Sequence, residues 1–247
     1  DLGKINQKGS QYMLPRDYNK IIVYYNKEYL KDAGVEKGNE LYPHDDWTYE
    51  EFLSLCAKLK SKLPSGVYPV DAMLTWAPIY NTYIRTFGGY IMDENGKPVF
   101  DSENAVKGLD ALDYLFKSGY TINPANKTED LFLSGKSAMW FSTRPSISNI
   151  EAMNLDYDAV SFPFIGDHGY IGTGASGYAV STFAKNKALS YLFVESMLSK
   201  DSQEAFSKTG NAVPVRKDLA TSGKWLECPN DILFFNHYAF TKYPERD

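Results

Sequence analysis

Cysteine and histidine are nearly missing from this chain. Its two cysteines, Cys56 and Cys228, stand far apart and form no C-x-x-C pair, so neither a zinc site nor a dithiol redox motif is indicated. Cys56 shares a helical spacing with Phe52 and Leu59 and reads as a small buried apolar residue. His44, His168 and His237 are isolated, which leaves no paired-histidine spacing for a transition metal. Neither a metal nor another cofactor is expected. No apolar run approaches the ~18 residues of a membrane-spanning helix. Positive charge is not in excess either: 26 basic against 31 acidic side chains give −5. That balance disfavours nucleic acid and an anionic membrane surface as partners. The opening Asp1-Leu2-Gly3-Lys4 has no basic n-region or apolar h-region, so an exported protein would have its signal removed or outside these residues.

What the chain does have is length, apolar content and aromatic rings. Its 247 residues are 43% hydrophobic, enough for one large domain or two small ones. Tyrosine, phenylalanine and tryptophan make 15% of it, and such rings suit a core or a polar organic ligand equally. Strands and helices alternate. A β-branched and aromatic strand is expected over 21–25, then a helix over 27–33 that Gly34 can close in a left-handed cap. Thr48-Tyr49-Glu50-Glu51 reads as a capping box, with Trp47 and Phe52 placed as a hydrophobic staple. Phe52, Leu53, Cys56, Leu59 and Leu63 follow with a 3.6-residue period up to the stop at Pro64-Ser65-Gly66. Further expectations are a strand at 67–71, a helix at 78–87 and a hairpin turn at Asn95-Gly96. A helix after Asp101-Ser102 should bury Ala105, Leu109, Leu112 and Phe116. A short helix is expected over 128–135, strands at 137–141, 157–162 and 178–182, and helices at 187–198 and 202–208, the last ended by Gly210. Single strands interleaved with helices indicate an α/β protein, and their irregular spacing argues against a repeated barrel.

Several motifs fail on their context. Gly172-Thr173-Gly174-Ala175-Ser176-Gly177 matches the dinucleotide fingerprint by letter, but a strand and no helix is expected after it, so pyrophosphate would find no helix N-terminus. The same stretch is one residue short of a nucleophile elbow, and no histidine stands out as a partner. Asp45-Asp46, Asp93-Glu94 and Asp156 with Asp158 could tempt a glycosidase reading. That chemistry needs carboxylates set across a substrate, which sequence proximity does not provide, and solvated loop charge is the simpler reading. Asn126-Lys127-Thr128 is a glycosylation sequon by letter alone. Alternation in 137–141 puts Ala138 and Trp140 on one side and Met139 and Phe141 on the other.

Taken in order, many segments resemble the family 1 extracellular solute-binding proteins, the sugar-capturing subunits of ABC importers. Leu14-Pro15 and the run 21–30, ending Tyr25-Asn26-Lys27-Glu28-Tyr29-Leu30, resemble the family's "YNKdlf" strand–helix. Ala33-Gly34-Val35 and Trp47-Thr48-Tyr49-Glu50-Glu51-Phe52 resemble "aGl…TWdEf", and Phe87-Gly88-Gly89 with 93–100 resembles "GG…DenGk". Phe132-Leu133-Ser134-Gly135-Lys136-Ser137-Ala138-Met139 is similar to "F.sGkaAM", the stretch 172–187 to "ggsgwaISk.skNK", and Asn211-Ala212-Val213-Pro214-Val215-Arg216 to "g.lPvrk". Each piece is loose, and their shared order over almost the whole chain is the specific signal.

The resemblance implies an α/β, periplasmic-binding-protein-like (type II) fold, mainly lobe 2 with part of lobe 1. Residues 1–20 would be a lobe 1 remnant and hinge, 21–169 lobe 2, 170–218 the return to lobe 1, and 219–247 a C-terminal segment returning towards lobe 2. It also implies a fragment, since a lobe 1 segment with its signal or lipid-attachment cysteine precedes the "YNK" strand in that family. The implied function is non-catalytic, extracytoplasmic binding of a carbohydrate, expected to be an oligosaccharide. The protein would be periplasmic or lipid-anchored and monomeric, and would deliver its ligand to membrane permease subunits. Carried over position by position, Trp76, Trp140, Arg144, Gly172, Thr173, Gly174 and Ser176 would face the ligand, and Pro15, Arg16 and Asp17 would form the hinge. Where the family often has Gly-x-Trp, this chain reads Ser142-Thr143-Arg144-Pro145. A guanidinium there would suit carboxylates, phosphates or sugar hydroxyls and would permit an acidic sugar. Two rival readings are a carbohydrate-active hydrolase using an acidic pair, and a solute-binding protein for a polyamine or metal complex.

Overall fold

A computed structural model describes residues 6–7, 10–165, 170–208 and 213–220. Asn6–Gln7 (β1) and Ser10–Gln11 (β2) pair as a small antiparallel ribbon. The chain then passes through two sheets in succession, first as Leu14–Lys20 (β3) and then, after Ile21, as Ile22–Asn26 (β4). Every residue of β4 is buried, as expected of a β-branched and aromatic strand covered on both faces. Asn26 both ends it and caps Lys27–Asp32 (α1), its Oδ1 accepting from the N–H groups of Glu28 (2.9 Å) and Tyr29 (3.2 Å). Gly34 follows at φ +75°, where a side chain would be strained.

Tyr49–Lys60 (α2) starts as its sequence dictates. Thr48 Oγ1 accepts from the Glu51 N–H at 3.2 Å, and Glu51 Oε2 accepts from the Thr48 N–H at 2.7 Å. Trp47 packs edge-on against Phe52 at 5.7 Å, closing the staple. There follow Tyr68–Asp71 (β5), Ala77–Thr86 (α3), Glu103–Lys117 (α4), Ser137–Ser142 (β6), Ser146–Ala152 (α5) and Tyr157–Ser161 (β7). The described chain closes with Thr173–Tyr178 (β8), Lys187–Met197 (α6), Lys200–Lys208 (α7), Val213–Pro214 (β9) and Lys217–Ala220 (α8).

The larger sheet runs β5-β6-β4-β7, with β5 parallel to β6 and the other pairs antiparallel. Side-chain alternation splits its two faces. Val23, Tyr25, Met139 and Phe141 join the main core with Phe52, Cys56 and Leu59 of α2, Tyr83 of α3 and Leu115 of α4. Ile22, Tyr24 and Trp140 face the other way, onto Ile147 and Ile150 of α5. The smaller sheet is β8-β3-β9, antiparallel throughout.

Three expectations change, and one helix was not foreseen. Residues 128–135 form no helix; Leu131 to Gly135 make turns instead, with Gly135 at φ +70°. No strand spans 178–182: the strand is the glycine-rich stretch before it, β8, which β3 holds by main-chain pairing. The Asn95-Gly96 turn forms as expected, and its flanks share one bridge, Met92 to Pro98, in keeping with the limit that Pro98, lacking an N–H, sets on pairing. In α4 the buried residues are Ala105, Gly108, Leu112 and Leu115, while Phe116 is 38% exposed. α5 begins directly after Pro145, where no element was expected. Gly210, Asn211, Ala212, Cys228, His168 and His237 lie outside the described residues.

Candidate functional site

Because β5 and β6 are parallel, their carboxyl ends open on one side of the sheet, and chain crossings at such edges are where α/β folds place ligands. Past β5 stands Trp76, half-buried and preceding the first turn of α3. Past β6 stands Thr143. The third wall is the smaller sheet, whose β3 strand delivers the chain into β4 at this edge. Between these walls lies a cleft of ≈ 230 Å³, lined by Trp76, Thr143, Asp17, Asn19 and the backbone and small side chains of 172–176.

The walls meet closely. Ile21 donates its N–H to the Gly172 carbonyl at 3.0 Å. A Cβ on Gly172 would lie 2.5 Å from Ile21 Cδ1 and 2.8 Å from the Pro78 carbonyl oxygen, so a side chain there would push strand, crossing and α3 apart. Antiparallel register sets Asn19 opposite Gly174 and Asp17 opposite Ser176, so these four share one face of the sheet. Asp17 is almost fully buried. Its Oδ2 accepts from Arg16 Nε at 2.5 Å and its Oδ1 from the Ser176 N–H at 3.3 Å. Asn19 Oδ1 and Thr173 Oγ1, both on lining residues, are buried without a hydrogen-bond partner. A buried polar atom left in that state is costly, by about 1–3 kcal/mol, unless something else satisfies it.

Five residues carried over from the resemblance come together here: Trp76, Gly172, Thr173, Gly174 and Ser176. Two do not. Trp140 is 5% exposed and lies in the second core cluster, stacked on Phe132 at 5.8 Å, because its neighbours on the strand already fill the other face. Arg144 has no exposed surface, and its Nη1 donates to the Ser207 carbonyl at the end of α7, 3.3 Å away. A guanidinium held inside the fold offers nothing to a ligand, so the acidic-sugar reading loses its basis. Pro15, Arg16 and Asp17 lie within β3, where a register shift marks the pairing with β8, and the passage between sheets falls later, at Ile21. Asp17 is thus a lining residue, and Asn19, Thr143 and Pro78 join it without having been foreseen. Alternation along β3 was the available signal, since it puts Asn19 on the face of Asp17.

Lys20 points to the opposite side, fully buried, and burial lowers its pKa to about 8 against the pull of Asp45. The acidic pairs do structural work elsewhere. Asp45 Oδ1 accepts from Ser161 Oγ at 2.9 Å, Asp93 Oδ1 caps the turn at Asn95 and Lys97, and Asp156 pairs with Lys27 at 2.6 Å. Among the described residues no group of three or more His, Cys, Asp or Glu could hold a metal ion, and no helix is long and apolar enough to cross a membrane.

A family model described as bacterial extracellular solute-binding protein matches residues 2–231. The maltodextrin-binding protein MdxE of Bacillus subtilis (strain 168) is 26% identical over 229 residues, 87% of this chain and 52% of its own. The sn-glycerol-3-phosphate-binding periplasmic protein UgpB of Brucella abortus (strain 2308) is 25% identical over 185 residues, 71% of this chain and 41% of its own. Among solved structures, the ABC substrate-binding protein Lmo0181 from Listeria monocytogenes, in complex with cycloalternan, superposes with a TM-score of 0.79 at 20% identity, covering 96% of this chain and 62% of that one. This chain spans about half the length of the curated relatives it matches.

Proposed function

The chain belongs to the bacterial extracellular solute-binding proteins, and from that premise we propose that its cleft is one wall of a carbohydrate site serving an ABC importer. The observation that carries this reading is the pairing of an accessible aromatic ring, Trp76, with unsatisfied polar atoms on Asn19 and Thr173 in one ≈ 230 Å³ space. Sugars present apolar ring faces bounded by hydroxyls, and a site that binds them needs both kinds of group. The relative MdxE is named for maltodextrin, and Lmo0181 is bound to cycloalternan, which favours an oligosaccharide.

In this reading the protein is extracytoplasmic, periplasmic or lipid-anchored, and hands its ligand unchanged to permease subunits. Trp76 covers a sugar face, and Asn19, Thr143 and Ser176 meet hydroxyls. The test is calorimetric titration of the 247-residue chain with maltose, maltotriose and cycloalternan. Saturable binding is expected, weakened at least tenfold by Trp76→Ala without loss of fold. Heat flow from ligand turnover, or no binding of any of the three, would overturn the reading.

A further inference from the structure

Resting on that reading, we propose that the cleft selects neutral hydroxylated ligands and excludes phosphate esters, and that Asp17 with Asn19 sets this choice. The relatives pose the question, since one is named for maltodextrin and another for sn-glycerol 3-phosphate. An anionic phosphate needs cationic or N–H donors directed at it. Among the described residues that line the cleft, none is cationic.

The nearby cations are committed elsewhere. Arg16 holds Asp17 and lies over the Phe206 ring, 5.0 Å from its centroid. Lys20 and Arg144 each neighbour a lining residue in sequence, yet both are fully buried, and Arg144 reaches the Ser207 carbonyl.

Main-chain donors are consumed as well. The start of α3 borders the cleft and would ordinarily attract an anion. Its second residue, Pro78, has no N–H, and the N–H groups of Ile79 (2.9 Å) and Tyr80 (3.3 Å) both turn to the Trp76 carbonyl. The Ser176 N–H, which a phosphate could have used, is taken by the Asp17 carboxylate. What remains on the lining is neutral: the Asn19 carboxamide, the Trp76 indole N–H and the hydroxyls of Thr143, Thr173 and Ser176, beside an Asp17 carboxylate whose charge Arg16 already balances. This set can exchange hydrogen bonds with the hydroxyls of a sugar and offers no positive charge to offset the desolvation of a phosphate.

The experiment titrates the 247-residue chain with maltotriose and with glycerol 3-phosphate, then repeats both with Asn19→Lys. Asn19 makes no side-chain bond that its replacement would break, and the thermal midpoint of the variant reports its folding. Wild-type chain should bind maltotriose at least tenfold more tightly than glycerol 3-phosphate. Asn19→Lys should narrow or reverse that preference. Glycerol 3-phosphate bound as tightly as maltotriose by the wild type would overturn the exclusion while leaving the solute-binding reading intact. So would a preference unchanged in folded Asn19→Lys. Silence of the wild type towards both ligands would overturn the reading and the exclusion together.

Discussion

Arg144 Nη1 donates to the Ser207 carbonyl, tying the residue after Thr143 of the cleft to the carboxyl end of α7. A cation at a helix C-terminus completes carbonyls that lack intrahelical donors. Arg144→Ala should therefore cost stability, about 1.5–3 kcal/mol for a charged buried hydrogen bond. Affinity per folded molecule should stay where it was. Urea unfolding measures the first and calorimetry the second; a loss of affinity at unchanged stability would put Arg144 in the site after all.

The two tryptophans of the site hypothesis should behave oppositely. Trp140→Ala removes a core ring and should destabilise by about 3–5 kcal/mol. Trp76→Ala leaves the core in place and should weaken sugar binding at least tenfold, with a thermal midpoint close to that of the wild type. Equal destabilisation by both would mean that Trp76 is packing rather than platform.

Thr48→Ala removes the side-chain half of the capping box of α2 and keeps the half in which the residue 48 N–H donates to Glu51, and the usual cost of losing such a cap is about 0.5–2 kcal/mol. No residue of α2 lines the cleft, so ligand preference should not change. The check is a chemical denaturation curve beside a ligand panel.

Stability should follow an unusual course in alkali. Folded Lys20 prefers to be neutral above about pH 8, while an unfolded lysine keeps its proton to about 10.5. The penalty for charging it is thus present below pH 8 and relieved as pH rises from about 8 towards 10.5. Tyr25, Tyr49 and Tyr83 run the other way: burial, foremost among their causes, raises each phenol, so the unfolded chain ionises first above pH 10 and stability is lost. The buried Cys56 thiol, likewise raised by burial, opposes the gain from about pH 9, so the urea midpoint should rise from pH 8 to about 9 and fall beyond 10. Lys20→Met should flatten the rise and keep the fall; a rise that persists in that variant would belong to other groups.

Gly108→Ala should destabilise although alanine is the better helix former. An added Cβ would sit 2.6 Å from Ile84 Cα and 2.7 Å from the Tyr83 carbonyl oxygen, forcing α3 and α4 apart at a cost of about 1–3 kcal/mol. Thermal unfolding of the variant decides it.

That glycine also explains a misreading of the sequence. Counting apolar side chains along α4 favours Leu109 and Phe116, because glycine carries no weight in such a count. The helix is in fact turned so that Gly108 admits the backbone of α3 and Leu115 follows it inward. Where short-range chemistry decides, as at Gly34 and the Thr48 box, the sequence was legible almost to the residue. The β4 strand was legible too, since five buried residues leave no ambiguity of face. β8 was not, because its glycines have low strand propensity and only pairing with β3, more than a hundred residues earlier, holds it extended. The cleft was half legible for a similar reason. Trp76 and 172–176 were found by resemblance, whereas Asn19 and Thr143 become neighbours only when two sheets meet, and Arg144 faces inward from the turn before a helix that had not been foreseen.

The glycines in and just before β8 are not equivalent. A Cβ on Gly172 or Gly177 would collide with its surroundings, but one on Gly174 meets nothing within 4 Å, and Gly174 lies on the cleft lining opposite Asn19. The strand thereby carries a single vacant attachment point on its inner surface. In a chain with Cys228 replaced by serine, a cysteine placed at 174 would be exposed, while native Cys56 is on the buried face of α2. An environment-sensitive dye coupled there would sit beside the ligand without displacing packed atoms, turning this wall of the cleft into an optical sensor whose emission follows occupancy.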